Sequence, residues 1–424
     1  MHIKSIKLKN FRCYENAEFN FKPGFNLVIG LNGSGKTSLL LGVATSFKGI
    51  GSATSKGSPS ISEDDARFVI DQHEDRIRFE RRYPVEINAE GNFLGTSTWG
   101  TSKERSGNVL DLKNNTLYNG MTSAIQEIDA GKDVTLPLVA FYRANRRWSA
   151  KNTSAEYAAT QKTSRYDAYL NWYDAAVDLQ EFESWIIGKT LERLQKIARK
   201  NNKPATFTDE LQLLDDVLTH ALPNSAGIEY DLDLRQIIVK LSKNHSIPFN
   251  DLSDGQRSLV AIVSDITRRI CVLNPHLRND ALTLTPGTIL IDEIDIHLHP
   301  AWQRNIISAL KNSFPQIQFI AASHSPQVIG SLSPEEIIIL TENGPTQPKA
   351  SYGLDSSSIL EEVMDTAQRA PEVANTLSEI LSAIENNKLA EAKQQLNTLK
   401  ATAKDLPEYY RIEALLKRKE LLGK

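Results

Sequence analysis

Asn26–Leu40 reads NLVIGLNGSGKTSLL, and this stretch decides the fold. Leu27, Val28 and Ile29 form a short apolar run with the character of a buried strand. Gly30-Leu-Asn-Gly-Ser-Gly-Lys36-Thr37 follows and fits the phosphate-binding pattern G-x-x-x-x-G-K-[ST]. Ser38-Leu39-Leu40-Leu41 then opens a helix. Strand, loop and helix in that order are the context such a loop requires. Gly30, Gly33 and Gly35 permit backbone turns that a Cβ would resist. Successive N–H groups and the helix N-terminus can then face phosphate oxygens. In that geometry Lys36 neutralises β- and γ-phosphates, and the Thr37 hydroxyl ligates Mg²⁺.

The surrounding chain is 424 residues long, which predicts a large core domain with insertions. Its apolar fraction of 40% and charged fraction of 24% are those of an ordinary globular protein. A net charge of −3 supplies no bulk field toward nucleic acid, so any such contact must come from local patches. Cys13 and Cys271 cannot build a disulfide framework and lack metal-site spacing, which predicts a reducing, cytoplasmic setting. The N-terminus, MHIKSIKLKNFRCY, has no apolar h-region and does not read as a signal peptide. No run of about 18 apolar residues predicts a membrane span.

Working outward from the loop, residues 1–29 read as three strands: one containing Ile3, Ile6 and Leu8, one over Ala17–Phe21, and Phe25–Ile29. Pro23-Gly24 turns between the last two. Arg12, between the first two strands, is a candidate nucleotide contact or a plain surface arginine. Residues 48–65, rich in Gly, Ser, Thr and Lys, read as a flexible loop. Strands follow at Ala66–Ile70 and from Arg76 to about Ile87. Residues 90–120 carry little periodicity, and no element is assigned there. Val134–Tyr142 is a buried strand, and Arg143, Arg146 and Arg147 follow its carboxyl end, where ligands bind in α/β sheets. A nucleotide or partner contact and a solvated loop are both open for them.

Residues 150–222 read as helical. Lys189, Arg193, Lys196 and Lys200 share one helix face, either solvated or facing backbone phosphates or an acidic partner. Residues 209–218 form a further helix. Ile228–Leu234 and Gln236–Leu241 read as a hairpin.

Two more motifs carry chemistry. Leu252-Ser-Asp-Gly-Gln-Arg257 precedes the helical run Ser258–Val272. A helix N-terminus with the Ser253 hydroxyl and Gly255 makes a γ-phosphate receptor, or else Ser253 or Asp254 is an ordinary N-cap. Thr288-Ile-Leu-Ile-Asp292-Glu293 is an apolar strand ending in two carboxylates, the Walker B pattern. Asp292 holds Mg²⁺ through water in such a site, and Glu293 polarises the attacking water as general base. Asp295 reads as a connector across a subunit interface. His297 and His299 lack a third ligand at metal spacing. A helix over Trp302–Phe314 and a strand over Gln318–Ala322 lead to Ser323-His324-Ser325-Pro326. His324 is positioned there to contact the γ-phosphate.

In this order the motifs resemble the ATP-binding cassette superfamily, and within it the SMC, RecF and OLD-like ATPases rather than the transporters. Asn10-Phe-Arg12, the G-x-N-G-S-G-K form with Asn32, and L-S-x-G-Q-R carry the resemblance, over roughly residues 1–45 and 250–345. It implies an α/β ATPase head, a phosphate-loop sheet flanked by helices, with an inserted helical arm and a C-terminal helical tail. It also implies a head-to-head dimer with ATP and Mg²⁺ between protomers. Arg12, Asn32, Gly33, Ser34, Gly35, Lys36, Thr37 and Ser38 then contact ATP from one side. Ser253, Gly255 and Gln256 contact it from the other. Thr37 and Asp292 hold the metal, Glu293 is the base, Asp295 belongs to the D-loop and His324 is the switch histidine. Asp254 departs from the common glycine. No Q-loop glutamine is assigned, and the Tyr142–Arg147 segment occupies its place.

The implied organisation is a first lobe with a β-rich insertion over 1–149, a helical arm over 150–224, a second lobe over 225–350, and an oligomerisation or partner region over 351–424. The arm is too short for a long coiled coil. The tail has no D-x-D, so no nuclease site is expected. Gly353–Met364 and the helical tail resemble the PtuA ATPases of Septu anti-phage systems and their relatives beside some retrons. That likeness implies an assembly larger than a dimer, a separate HNH nuclease partner (PtuB-like) that cuts DNA, and no membrane contact. The alternative is a RecF- or SMC-like repair ATPase that binds DNA directly.

Overall fold

The computed structural model describes the chain except for residues 74–75, 107–109, 112–115, 146–152, 154–155, 157, 159–162, 178, 200–208, 223–224, 226, 243–244, 365, 367–370, 405 and 423–424. Arg146, Arg147 and Lys200 therefore lie outside the described residues. Two compact units are formed, Met1–Leu354 and Asp355–Lys424.

The first unit opens with β1 (His2–Phe11), β2 (Tyr14–Asn20) and β3 (Phe25–Gly30), then α1 (Lys36–Ser46) and α2 (Lys48–Thr54). β4 (Phe68–His73) pairs only with β5 (Arg76–Arg81) among the described residues. β6 (Val85–Phe93), β7 (Thr96–Lys103), β8 (Leu110–Asp111) and α3 (Thr116–Asp129) precede β9 (Leu138–Tyr142). Short 3₁₀ segments at Arg165–Tyr169 and Trp172–Val177 lead to α4 (Leu179–Arg199) and α5 (Glu210–Ala221). β10 (Gly227–Asp231), β11 (Gln236–Ser242) and β12 (His245–Pro248) form a small antiparallel sheet before α6 (Asp254–Leu273). β13 (Gly287–Ile291), α7 (Pro300–Ser313), β14 (Ile317–Ala322), β15 (Ile337–Thr341) and β16 (Gly344–Thr346) complete the unit.

The central sheet has the order β16-β15-β3-β14-β13-β9, with all strands parallel except β16. Leu138–Tyr142, Gly287–Ile291 and Ile317–Ala322 are buried along their whole length. Continuous apolar runs of this kind suit parallel strands covered on both faces. The parallel arrangement sends the loops after β3, β9, β13 and β14 to one edge. A second, antiparallel sheet, β2-β1-β6-β7-β8, carries alternating burial, as in β6 with its pattern of inward Val85, Ile87 and Ala89. Gln318, buried in β14, ties the two sheets: its amide donates to the Ile3 carbonyl at 2.8 Å and its oxygen accepts from the Ile3 N–H at 2.9 Å.

Several expectations change. The loop predicted over 48–65 begins as α2, because Phe47 and Ile50 are fully buried and Phe47 packs on Phe93 at 4.9 Å. Its glycine and serine content concealed a helix held by tertiary packing. The strand expected to run on from Arg76 to Ile87 is two strands, divided before Val85 at Pro84, which cannot donate to a ladder. The unassigned 90–120 region holds β7, β8 and the start of α3. The strand expected from Val134 starts at Leu138. The helical reading of 150–222 includes 3₁₀ segments as well as α-helices.

The second unit is helical. α8 (Pro371–Glu385), α9 (Leu389–Thr402) and α10 (Glu408–Leu422) close around Leu377, Ile380, Ile384, Leu396, Ile412 and Leu416. These are the apolar positions that recur at helical spacing in the sequence. Among the described residues no helix is long and apolar enough to cross a membrane.

Candidate nucleotide site

The loop after β3 wraps the N-terminus of α1. Gly35 caps that helix at φ 103°, a left-handed conformation that resists any side chain. The buried Lys36 donates from Nζ to the carbonyls of Gly30 and Leu31, each at 3.0 Å. Burial lowers its pKa, while Asp292 and Glu293 counter that shift. The ammonium is thus held inside its own loop, facing the carboxylates at the end of β13. Thr37 Oγ1 donates to Asp292 Oδ2 at 2.9 Å, joining residues 255 apart in sequence. Asp292 is held in turn by its backbone N–H, which donates to the Tyr142 carbonyl at 2.8 Å.

Glu293 and His297 adopt positive φ, 47° and 62°. Left-handed backbone at non-glycine residues stores strain of about 1–3 kcal/mol each and clusters at functional sites. His324 stands at the end of β14. Burial lowers its pKa first, Lys36 lowers it further, and Asp295, Glu293 and Asp292 oppose both. The ring is consequently neutral near pH 7, with one nitrogen able to donate and the other to accept. His324 therefore joins Lys36, Asp292, Glu293 and Asp295 in one electrostatic cluster.

The residues suit a magnesium nucleotide. The hydroxyl of Ser34 and Oδ1 of Asp295 are buried, and neither has a hydrogen-bond partner among the described residues. Such orphans lie in a site whose charged and polar groups otherwise find one another, and phosphate oxygens or a metal-bound water would satisfy them.

The signature stretch lies at the N-terminus of α6. Ser253 is the N-cap in a capping box with Gln256, and it is exposed. Of the two readings of that serine, the structure shows the N-cap, and the hydroxyl donates to Gln256 Oε1 at 3.0 Å. Gly255 is required by packing, because a Cβ there would stand 2.2 Å from the His297 carbonyl oxygen.

Arg12 bonds Asp65 Oδ1 through Nε at 2.8 Å and adopts φ 52°. Arg143 donates from Nε to the Tyr173 carbonyl at 3.3 Å. Two residues of the basic face of α4 are engaged: Lys189 pairs with Glu192 and Glu210, and Arg193 pairs with Asp209. His299 caps α7 through Nδ1. Tyr14 and Gln303 escaped the sequence reading. Tyr14 Oη donates to the Gly35 carbonyl at 3.0 Å. Gln303 bonds the loop after β13 and also Ser325. Neither has a motif; Tyr14 meets Gly35 and Gln303 meets Ser325 across more than twenty residues.

Residues 25–330 match the family model described as AAA domain, putative AbiEii toxin, Type IV TA system, and residues 1–42 match one described as AAA ATPase domain. The retron Ec83 probable ATPase of Escherichia coli is 25% identical, over 88% of this chain and 78% of its own length. The retron Vc95 probable ATPase of Vibrio cholerae is 27% identical, over 81% and 74%. The Septu protein PtuA of Bacillus thuringiensis is 25% identical, over 94% and 93%.

Proposed function

The chain is an ATPase belonging to the AAA domain family described as putative AbiEii toxin, Type IV TA system, and from that membership we propose that it works as an ATP-gated subunit of an anti-phage defence complex. Two protomers close around ATP. Lys36 neutralises the β- and γ-phosphates from one protomer, with Asn32, Gly33, Ser34, Gly35, Thr37 and Ser38 lining the same side. Ser253, Gly255 and Gln256 of the second protomer meet the γ-phosphate. Thr37 and Asp292 would hold Mg²⁺, which would supply charge neutralisation to the phosphates. Glu293 accepts the proton of the attacking water, and His324, neutral, donates a hydrogen bond to the γ-phosphate as charge develops. Asp295 bridges to the second protomer. Arg12 reaches the nucleotide on exchanging its Asp65 partner.

The observation that carries this reading is the 2.9 Å bond from Thr37 to Asp292. It sets the two groups that would share a magnesium ion beside the enclosed Lys36. Similarity to PtuA over 94% of the chain supports the defence role, and with it a separate HNH nuclease partner that cleaves DNA under control of the ATPase. The engagement of Lys189 and Arg193 by acidic partners disfavours the alternative, a repair ATPase binding DNA directly through α4. Affinity purification of the tagged chain from its native cells tests the choice. Recovery of a small HNH protein is expected. Recovery of the ATPase alone, with strong salt-dependent DNA binding, would favour the repair reading.

A further inference from the structure

Gln303 lies on α7, one turn past the start of that helix, and its side chain reaches two loops at once. Nε2 donates to the Leu298 carbonyl at 2.9 Å and to the Asp295 carbonyl at 3.3 Å. Oε1 accepts from the Ser325 hydroxyl at 2.7 Å. The amide has only one orientation that serves all three, because carbonyls only accept and need its N–H₂. Ser325 is buried and follows His324 directly. Asp295 begins the turn that ends at Leu298, where the Leu298 N–H donates back to the Asp295 carbonyl at 3.1 Å. That same turn carries His297, whose carbonyl is packed against Gly255 of the signature helix. One amide therefore joins the turn carrying the orphan carboxylate of Asp295, the segment carrying His324, and, through His297, the start of α6.

We propose that Gln303 is a positioning residue for ATP hydrolysis: it clamps the Asp295–Leu298 turn to the His324 segment, so that closure of a second protomer on Asp295 sets the histidine. The inference rests on the sandwiched-ATP reading above. A residue with this role affects turnover and leaves nucleotide capture by the Lys36 loop intact, since no bond of Gln303 reaches that loop.

The test uses the full chain. Gln303→Met keeps the side-chain length and removes all three bonds, and Ser325→Ala removes one of the three together with the cap that its hydroxyl gives Gln327 and Val328. Turnover is measured at saturating ATP, and binding is measured with a fluorescent ATP analogue. Gln303→Met is expected to lower kcat about tenfold or more, with analogue affinity within about twofold of the parent. Ser325→Ala is expected to lower kcat by a few fold, and the double variant to cost less than the sum of the two single losses, because the two residues share one bond. Unchanged kcat in folded Gln303→Met would overturn the proposal. Should that variant fail to fold, unchanged kcat in Ser325→Ala would overturn it instead, as would equal losses of affinity and kcat in either variant. Lys36→Ala separates this result from failure of the parent reading. If Lys36→Ala retains full turnover, the ATP-site assignment falls and the clamp falls with it. If Lys36→Ala is inactive and Gln303→Met is normal, only the clamp falls.

Discussion

Asp292 and Asp265 are both buried carboxylates of the first unit, 4% and 3% exposed, and they are built for opposite purposes. Asp265, in the middle of α6, accepts from Arg268 at 2.9 Å, from Arg269 at 2.6 Å and from the Tyr142 hydroxyl at 2.9 Å. Arg269 continues to the carbonyls of Ala168 and Leu170. Burial alone would raise the Asp265 pKa, but Arg269 and Arg268 overcome that and hold it below the usual carboxylate range. Its charge is compensated from within the chain. Asp292 sits at the end of β13 beside a hydroxyl and within the field of Lys36, with orphaned polar atoms at Ser34 and Asp295 close by in the same cluster of loops. Tyr142 bonds both residues, by its hydroxyl to the Asp265 carboxylate and by its carbonyl to the Asp292 backbone N–H. Two guanidinium groups mark the Asp265 carboxylate as structural, whereas Asp292 stands among the groups of the candidate nucleotide site.

The contrast predicts opposite mutational signatures. Asp265→Ala strands two buried guanidinium groups and should destabilise the chain by about 3–5 kcal/mol in urea unfolding. Asp292→Asn keeps an acceptor for Thr37 and should change stability by less than about 1 kcal/mol, while ATP turnover falls by about a hundredfold. The distinction fails if both variants lose stability equally.

A third carboxylate lies between these extremes. Asp215 accepts from the Ile228 N–H at 2.9 Å and has no ion pair among the described residues. Burial raises its pKa to about 6 from 3.8. A raised acid is stabilising in its protonated form, so its contribution is complete below pH 3.8 and is lost as pH rises through about 6. Asp215→Asn should therefore raise stability by about 1–3 kcal/mol at pH 8 and leave it unchanged at pH 4. An equal gain at both values would show that ionisation is not the cause.

The parts that the sequence made legible are those whose chemistry is local. The phosphate loop, the carboxylates after β13 and the capped start of α6 each combine a short apolar run or helix start with a fixed order of polar residues. The C-terminal helices were legible from their apolar spacing. The parts that escaped depend on distant partners. α2 forms because Phe47 finds Phe93, which no window around residue 50 contains. The basic stripe of α4 reads from sequence as a candidate phosphate surface, but Asp209 and Glu210, at the start of α5, engage Arg193 and Lys189 of it. Tyr14, Gln303 and Asp265 carry no motif: Tyr14 meets Gly35, Gln303 meets Ser325 and Asp265 meets Tyr142 across the sequence, and the nearer partners of the last two, Leu298 and Arg269, belong to no recognised pattern.

The central claim is that ATP is held between two copies of this chain and hydrolysed with Glu293 as base. Sedimentation velocity of Glu293→Gln with and without Mg-ATP tests it most directly. The account predicts a nucleotide-dependent gain in mass that persists because turnover is blocked, and that Ser253→Arg abolishes. The same mass with and without ATP, or hydrolysis by Glu293→Gln at the parent rate, would contradict it.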